Sequence, residues 1–153
     1  MSQSNMLNHF LSHRSVTNNL VQKIDEANYE YKPTETSMTA QKLVTHMYTS
    51  FHKFVKTIKD GNASPFIEKL ETTHSNLNHI GEDFTEKSKD LIASLTDQEL
   101  DQVIDLTKVF GMELTGRQLF QMAMDHEIHH KGNLFVYVRG MGHTDLPMFI
   151  GRG

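Results

Sequence analysis

Two histidines, His126 and His130, stand one helical turn apart inside the apolar stripe of the last long helical segment, and no other feature limits the fold as tightly. Residues at i and i+4 share one helix face. At 100° per residue, Leu119, Met122, Ala123, His126, His130, Asn133, Leu134 and Tyr137 gather on one side of that segment. His129 lies at the edge of the stripe and Glu127 on its other flank. A buried imidazole needs a partner for each ring nitrogen. Two stacked imidazoles need several, so another element has to face this helix with suitable side chains. A hydrogen-bonded core pair meets that demand. So does one divalent ion held by both rings, as in H-E-x-x-H helices.

The segment best placed to face it is a helix over about 39–59, with Thr39 or Ser37 as its N-cap and the breakers Gly61, Asn62 and Pro65 after it. Its apolar face runs through Ala40, Leu43, Met47, Phe51, Phe54 and Ile58. His46 lies at the border of this face, on a flank shared with Thr39 and Ser50. His52 points away, among Thr45, Tyr48 and Lys56, and is expected in solvent. His46 is therefore the better third ligand for a site completed by His126 and His130. With no cysteine in the chain, thiolate ligands and disulfides are excluded. Neutral imidazoles suit zinc, nickel, copper and iron, whereas magnesium and calcium take oxygen ligands. Three protein ligands leave at least one position open for water or substrate.

The rest of the 153 residues reads as one domain, 1–153, without repeat or linker. A polar but periodic first helix is expected over about 5–30, with Pro33 and the cluster at 34–37 marking a loop after it. Residues 66–81 read as partial helix or structured crossover, because the run Thr72, Thr73, His74, Ser75 and Asn76 weakens the helical pattern. A third clear helix follows over about 83–94. Thr96 and Glu99 form a capping box that predicts a short helical turn from Leu100. Residues 103–112 read as a connector or a short extended piece. The last helix runs from about Thr115 to the stop at Gly140 and Gly142, and Leu146, Pro147, Met148 and Phe149 are expected to pack back from the tail. Four main helices in one small domain give an all-α fold, a four-helix bundle.

Several classes fall away. There is no run of 18 apolar residues, so no membrane span is expected. The N-terminus lacks a basic region followed by an apolar one, which makes the cytoplasm the expected compartment. A net charge of −4 with scattered Lys and Arg argues against nucleic acid as a partner.

His46 on the second helix, then His126, His130, Lys131 and Gly132 followed by the aliphatic and aromatic run 134–142, resembles the DinB/YfiT-like superfamily. The resemblance spans nearly the whole chain, including Pro33 before the second helix and the 95–100 segment after the third. It departs at Lys131, where Arg is usual, and at Asn133, where Gln is usual. The resemblance implies an up-down-down-up bundle with a long crossover connection, commonly dimeric, that binds a divalent metal through His46, His126 and His130. It also implies a thiol transferase or a metal-dependent hydrolase, since relatives of both kinds are known.

A metal ion held by neutral histidines acidifies a bound water or thiol. Zinc or nickel is the first expectation for that ion, iron or manganese the next, and a small-molecule substrate or thiol cofactor the partner. Glu127 and Tyr137 are the candidates for acid–base catalysis. Asn133, Tyr48 and His129 are candidates for contacts to the ligands or the substrate. The competing class is a non-catalytic, metal-stabilised or dimerising bundle with an interaction or stress-response role. A second apolar stripe on the last helix, Phe120, Met124, Ile128 and Phe135, has to be covered by the first helix and the tail or by a second subunit. A homodimer is the expectation.

Overall fold

In the computed structural model, which describes residues 2–70 and 75–152, four long helices carry most of the chain. α1 (Gln3–Gln22) starts at Ser2, whose hydroxyl accepts from the Asn5 amide. α2 (Ala40–Asp60) starts at Thr39, whose hydroxyl accepts from Lys42, and stops at Gly61 with φ 75°. These caps satisfy amides that have no partner within the helix, and a left-handed Gly ends the ladder cheaply. A single turn, α3 (Ser64–Ile67), carries Pro65 at its start. α4 (Leu77–Ser94) begins beneath Asn76, whose side-chain oxygen accepts from the Asn78 and His79 amides. α5 (Asp97–Asp101) opens on the Thr96–Glu99 capping box. The antiparallel strands β1 (Val103–Leu106) and β2 (Met112–Thr115) are joined by one turn, α6 (Thr107–Phe110), with Ile104 opposite Leu114. α7 (Gly116–Gly140) opens on a second capping box, Thr115 with Gln118.

Three boundaries differ from the sequence reading. α1 ends at Gln22, not near residue 30, and a 3-10 turn (Glu26–Asn28) follows. The chain breaks there because Tyr29 and Tyr31 are needed elsewhere: the Tyr29 hydroxyl accepts from the Leu77 amide, and the Tyr31 carbonyl accepts from Ala40. α4 begins six residues earlier than 83, since the polar run read as a weakness ends in a cap, Asn76. Within that run, residues 72–74 lie outside the described residues. The capping box starts its helix at Asp97 rather than at Leu100, because a cap acts on the residue immediately after it. The 103–112 stretch, expected as a connector or a short extended piece, holds a hairpin arm and its turn.

α1 packs on α4 and α7, and α2 also packs on α4 and α7. α2 is therefore buried on two sides, and Val44, Tyr48 and Val55 join the expected face in the core. For the same reason His52 is not a solvent residue. Its ring lies 5.5 Å from that of Phe84, and its Nδ1 is buried without a hydrogen-bond partner. α7 is likewise covered on two sides. Phe120 and Met124 of its second stripe are buried with Met6 and Phe10 of α1, while Ile128 remains 36% exposed. From the tail, Leu146 packs on the core and the Gly151 amide donates to the Ser12 carbonyl at 2.7 Å. Met148 and Phe149 do not pack as expected: their side chains are 72% and 64% exposed, and main-chain contacts hold the tail instead. No described helix is long and apolar enough to cross a membrane.

Two apolar clusters meet at a polar layer. The Arg14 guanidinium lies 4.7 and 5.2 Å from the ring centroids of Phe10 and Phe51 in one cluster, and 5.0 Å from that of Tyr48 in the other.

Candidate metal centre

Where α2 crosses α7, His46 meets His126 and His130. One ring nitrogen of each lies within 4.8 Å of the others, and the Nε2 atoms of His46 and His126 are 3.1 Å apart. Two nitrogens bound about 2.1 Å from one ion at angles near 90–109° would stand about 3.0–3.4 Å apart. The His46–His126 spacing falls in that range, and a His130 nitrogen lies within 4.8 Å of both. The three rings stand edge to face, with centroids 4.5 to 5.1 Å apart.

Two of the outer nitrogens are engaged. His130 Nδ1 lies 3.1 Å from Asn133 Oδ1, and His46 Nδ1 lies 3.1 Å from Ser50 Oγ. With the proton on Nδ1 in each ring, these contacts leave the Nε2 lone pair free for a metal. Burial pushes the His126 imidazole down from 6.5 to about 4, helped by the neighbouring His130 and His46. His46 is lowered by burial and then by His130, and His130 by burial, against the Asn133 contact that opposes it. The rings are thus held neutral, the state in which imidazole ligates a metal. Donor type, spacing and protonation all fit a divalent first-row ion.

The histidines do not sit in the middle of the buried stripe. They are partly exposed at its margin, and its centre on the α1 side is held by Glu127 and Lys131, 1% and 2% exposed. Sequence reading missed this because α7 faces α1 as well as α2. The Glu127 carboxylate accepts from Arg14 Nε at 3.0 Å, from the second Arg14 donor at 2.9 Å and from the Thr17 hydroxyl at 2.7 Å. Burial alone would raise its carboxyl, but the Arg14 charge and these hydrogen bonds hold it below the ordinary range. Lys131 donates to His13 Nδ1 at 2.6 Å and to the Phe149 carbonyl. A signal for the pair was present in α1. Phe10, Arg14, Thr17 and Val21 share one face at helical spacing, and a charge in that row calls for an acid opposite.

The other candidates are placed as follows. The Tyr137 hydroxyl donates to the Met38 carbonyl at 2.7 Å, anchoring the loop before α2. Tyr48 is buried, donates to Asn18 Oδ1 at 2.8 Å, and is pushed up in pKa by burial. His129 is exposed, with its ring 4.8 Å from that of His130. Asn133 therefore touches His130, while Tyr48 is turned to α1. Ser50, which the sequence placed only on the His46 flank, is the partner that sequence reasoning did not assign.

Known proteins are similar to this chain in sequence and fold. The DinB family model matches residues 1–152. The uncharacterised protein YjoA of Bacillus subtilis (strain 168) is 57% identical over 150 residues, covering 97% of either chain. The crystal structure of a DinB-like protein, YjoA, from Bacillus subtilis aligns with a TM-score of 0.91 at 55% identity, over 97% of this chain and 99% of that one. A DinB-like protein from Bacillus cereus shares the fold at a TM-score of 0.73 and 14% identity, over 95% of both chains.

Proposed function

The chain belongs to the DinB family, and from that membership we propose a metal-dependent enzyme in which His46, His126 and His130 hold a divalent ion and a small molecule reacts beside it. Zinc or nickel is the ion proposed, with iron or manganese next. The observation that carries the reading is the convergence of three histidine nitrogens within 4.8 Å across α2 and α7. When bound, such an ion acidifies a thiol or a water, which suits a thiol transferase or a hydrolase.

The protein's own side chains divide the remaining work. Ser50 and Asn133 fix the His46 and His130 rings from behind. His129 stands exposed beside His130, with the two ring centroids 4.8 Å apart. Glu127, committed to Arg14 and Thr17, supports the register of α7 against α1 rather than moving protons. A homodimer and a cytoplasmic setting belong to the same proposal. Exposed apolar side chains at Ile128, Met148 and Phe149 support the former, and sedimentation equilibrium tests it.

Activity is tested on the metal-loaded protein with two panels, a low-molecular-weight thiol plus electrophiles, and esters plus amides. Turnover lost in His126→Ala supports the enzyme. Metal retained with no turnover in either panel assigns the ion to a structural role.

A further inference from the structure

A groove of about 370 Å³ runs beside the triad, between the 33–38 loop and the α7 residues Asn133, Val136 and Tyr137. Asn133 belongs to both places, because its Oδ1 contacts His130 and its side chain lines the groove. At 1.5 Å per residue, Asn133 and Tyr137 lie about 4.5 and 10 Å along the helix from His130, so the groove leads away from the ligands. Its outer wall is preformed. The Tyr137 hydroxyl holds the Met38 carbonyl, Thr34 and Ser37 share a 2.6 Å hydroxyl contact, and the Tyr31 ring stands edge-on to Tyr137 at 6.1 Å. The Tyr31 hydroxyl also lies over Gly140, where a Cβ would meet it.

The lining has one consistent chemistry. Hydroxyls come from Thr36, Ser37 and Tyr137, an amide from Asn133, and apolar surface from Pro33, Met38 and Val136. Among the described residues, no Asp, Glu, Lys, Arg or His lines it. The flanking Lys32 amino group is directed to the Glu35 carbonyl. With Oδ1 turned to His130, the NH2 of Asn133 is left as a donor. A charged group entering here would lose water without gaining a counter-charge, whereas an uncharged group with hydrogen-bonding oxygens would keep its partners.

We propose that this groove binds the uncharged, hydroxyl- or amide-bearing body of the substrate whose reacting group is delivered to the triad. The inference rests on the metal-site reading above. The test uses cobalt(II)-loaded protein, whose visible absorption reports a ligand arriving at the metal, and three probes that share one chelating end. These are acetohydroxamic acid, 4-hydroxybenzohydroxamic acid and 4-carboxybenzohydroxamic acid. The hydroxyl-bearing probe is expected to bind about tenfold tighter than each of the others, roughly the gain from burying one small ring without an unpaired charge. Val136→Trp on one wall and Thr36→Trp on the other, both at exposed positions, are expected to abolish that preference while the ligand-free cobalt spectrum persists. Equal affinities, or a preference for the carboxylate, overturn the groove and leave the metal site standing. A wild-type protein without a cobalt spectrum removes the metal reading and the groove with it.

Discussion

Asn133 Oδ1 lies 3.1 Å from His130 Nδ1, so the residue that lines the groove also sets the ring that faces α2. Replacing the amide with an isosteric apolar group frees the imidazole to rotate and to change tautomer. Asn133→Leu is expected to weaken metal affinity about 10- to 100-fold, and Ser50→Ala to act in the same direction through His46. Competition against a chromophoric chelator measures both. Wild-type affinity in both variants would show that the rings need no support from behind.

The buried pair of Arg14 and Glu127 predicts an asymmetric response. Both side chains are fully enclosed, so removing one leaves the other charged and unpaired. Glu127→Leu alone is expected to cost about 3–5 kcal/mol in urea unfolding, while Arg14→Met with Glu127→Leu recovers most of that loss. Additive single effects would mean that the two residues do not act as a pair.

How legible this was in the sequence depended on periodicity. Thr115 reads as a helix start and not as a cap, whereas the α2 face from Ala40 to Ile58, the Thr39 cap and the Thr96–Glu99 box could be read directly, because each is a local rule. So could the triad, since His46 and the pair on α7 lie on flanks that two packed helices bring together. The second buried faces were harder. A wheel finds apolar stripes, and the α1-facing side of α7 is centred on Glu127 and Lys131, which look like solvent residues until Arg14 and His13 are placed opposite. The exposed Met148 and Phe149 show the reverse. They read as packing residues, but main-chain hydrogen bonds hold the tail.

Stability of the metal-free protein should depend on pH. Burial lowers the His126 imidazole from 6.5 to about 4, with His130 and His46 adding to it. His13 falls over the same range through burial and the nearby Lys131 charge. Between those values the unfolded chain binds protons that the folded chain refuses, so stability rises with pH from about 4 to 6.5 and levels off above it. The lowered Glu127 carboxyl acts with the same sign at lower pH. Thermal midpoints of chelator-stripped protein at pH 4.5, 5.5 and 7 check this, and a flat profile would contradict it.

Gly116 links the hairpin to α7. A Cβ there would stand 2.6 Å from the Glu99 carbonyl oxygen and 2.9 Å from the Leu100 Cα, both backbone atoms that cannot swing aside. Gly116→Ala is expected to cost about 1–3 kcal/mol despite the better helix propensity of Ala. Urea denaturation reads the sign, and stabilisation would show that α5 does not press against the start of α7.

The most direct test of the central claim is metal content per chain, measured by mass spectrometry on the purified wild-type protein and on His46→Ala, His126→Ala and His130→Ala. The account predicts close to one divalent ion per wild-type chain and a marked loss in each variant, with His129→Ala retaining the ion. Unchanged metal content in all three triad variants, or a wild-type chain that takes up no divalent ion, would contradict it.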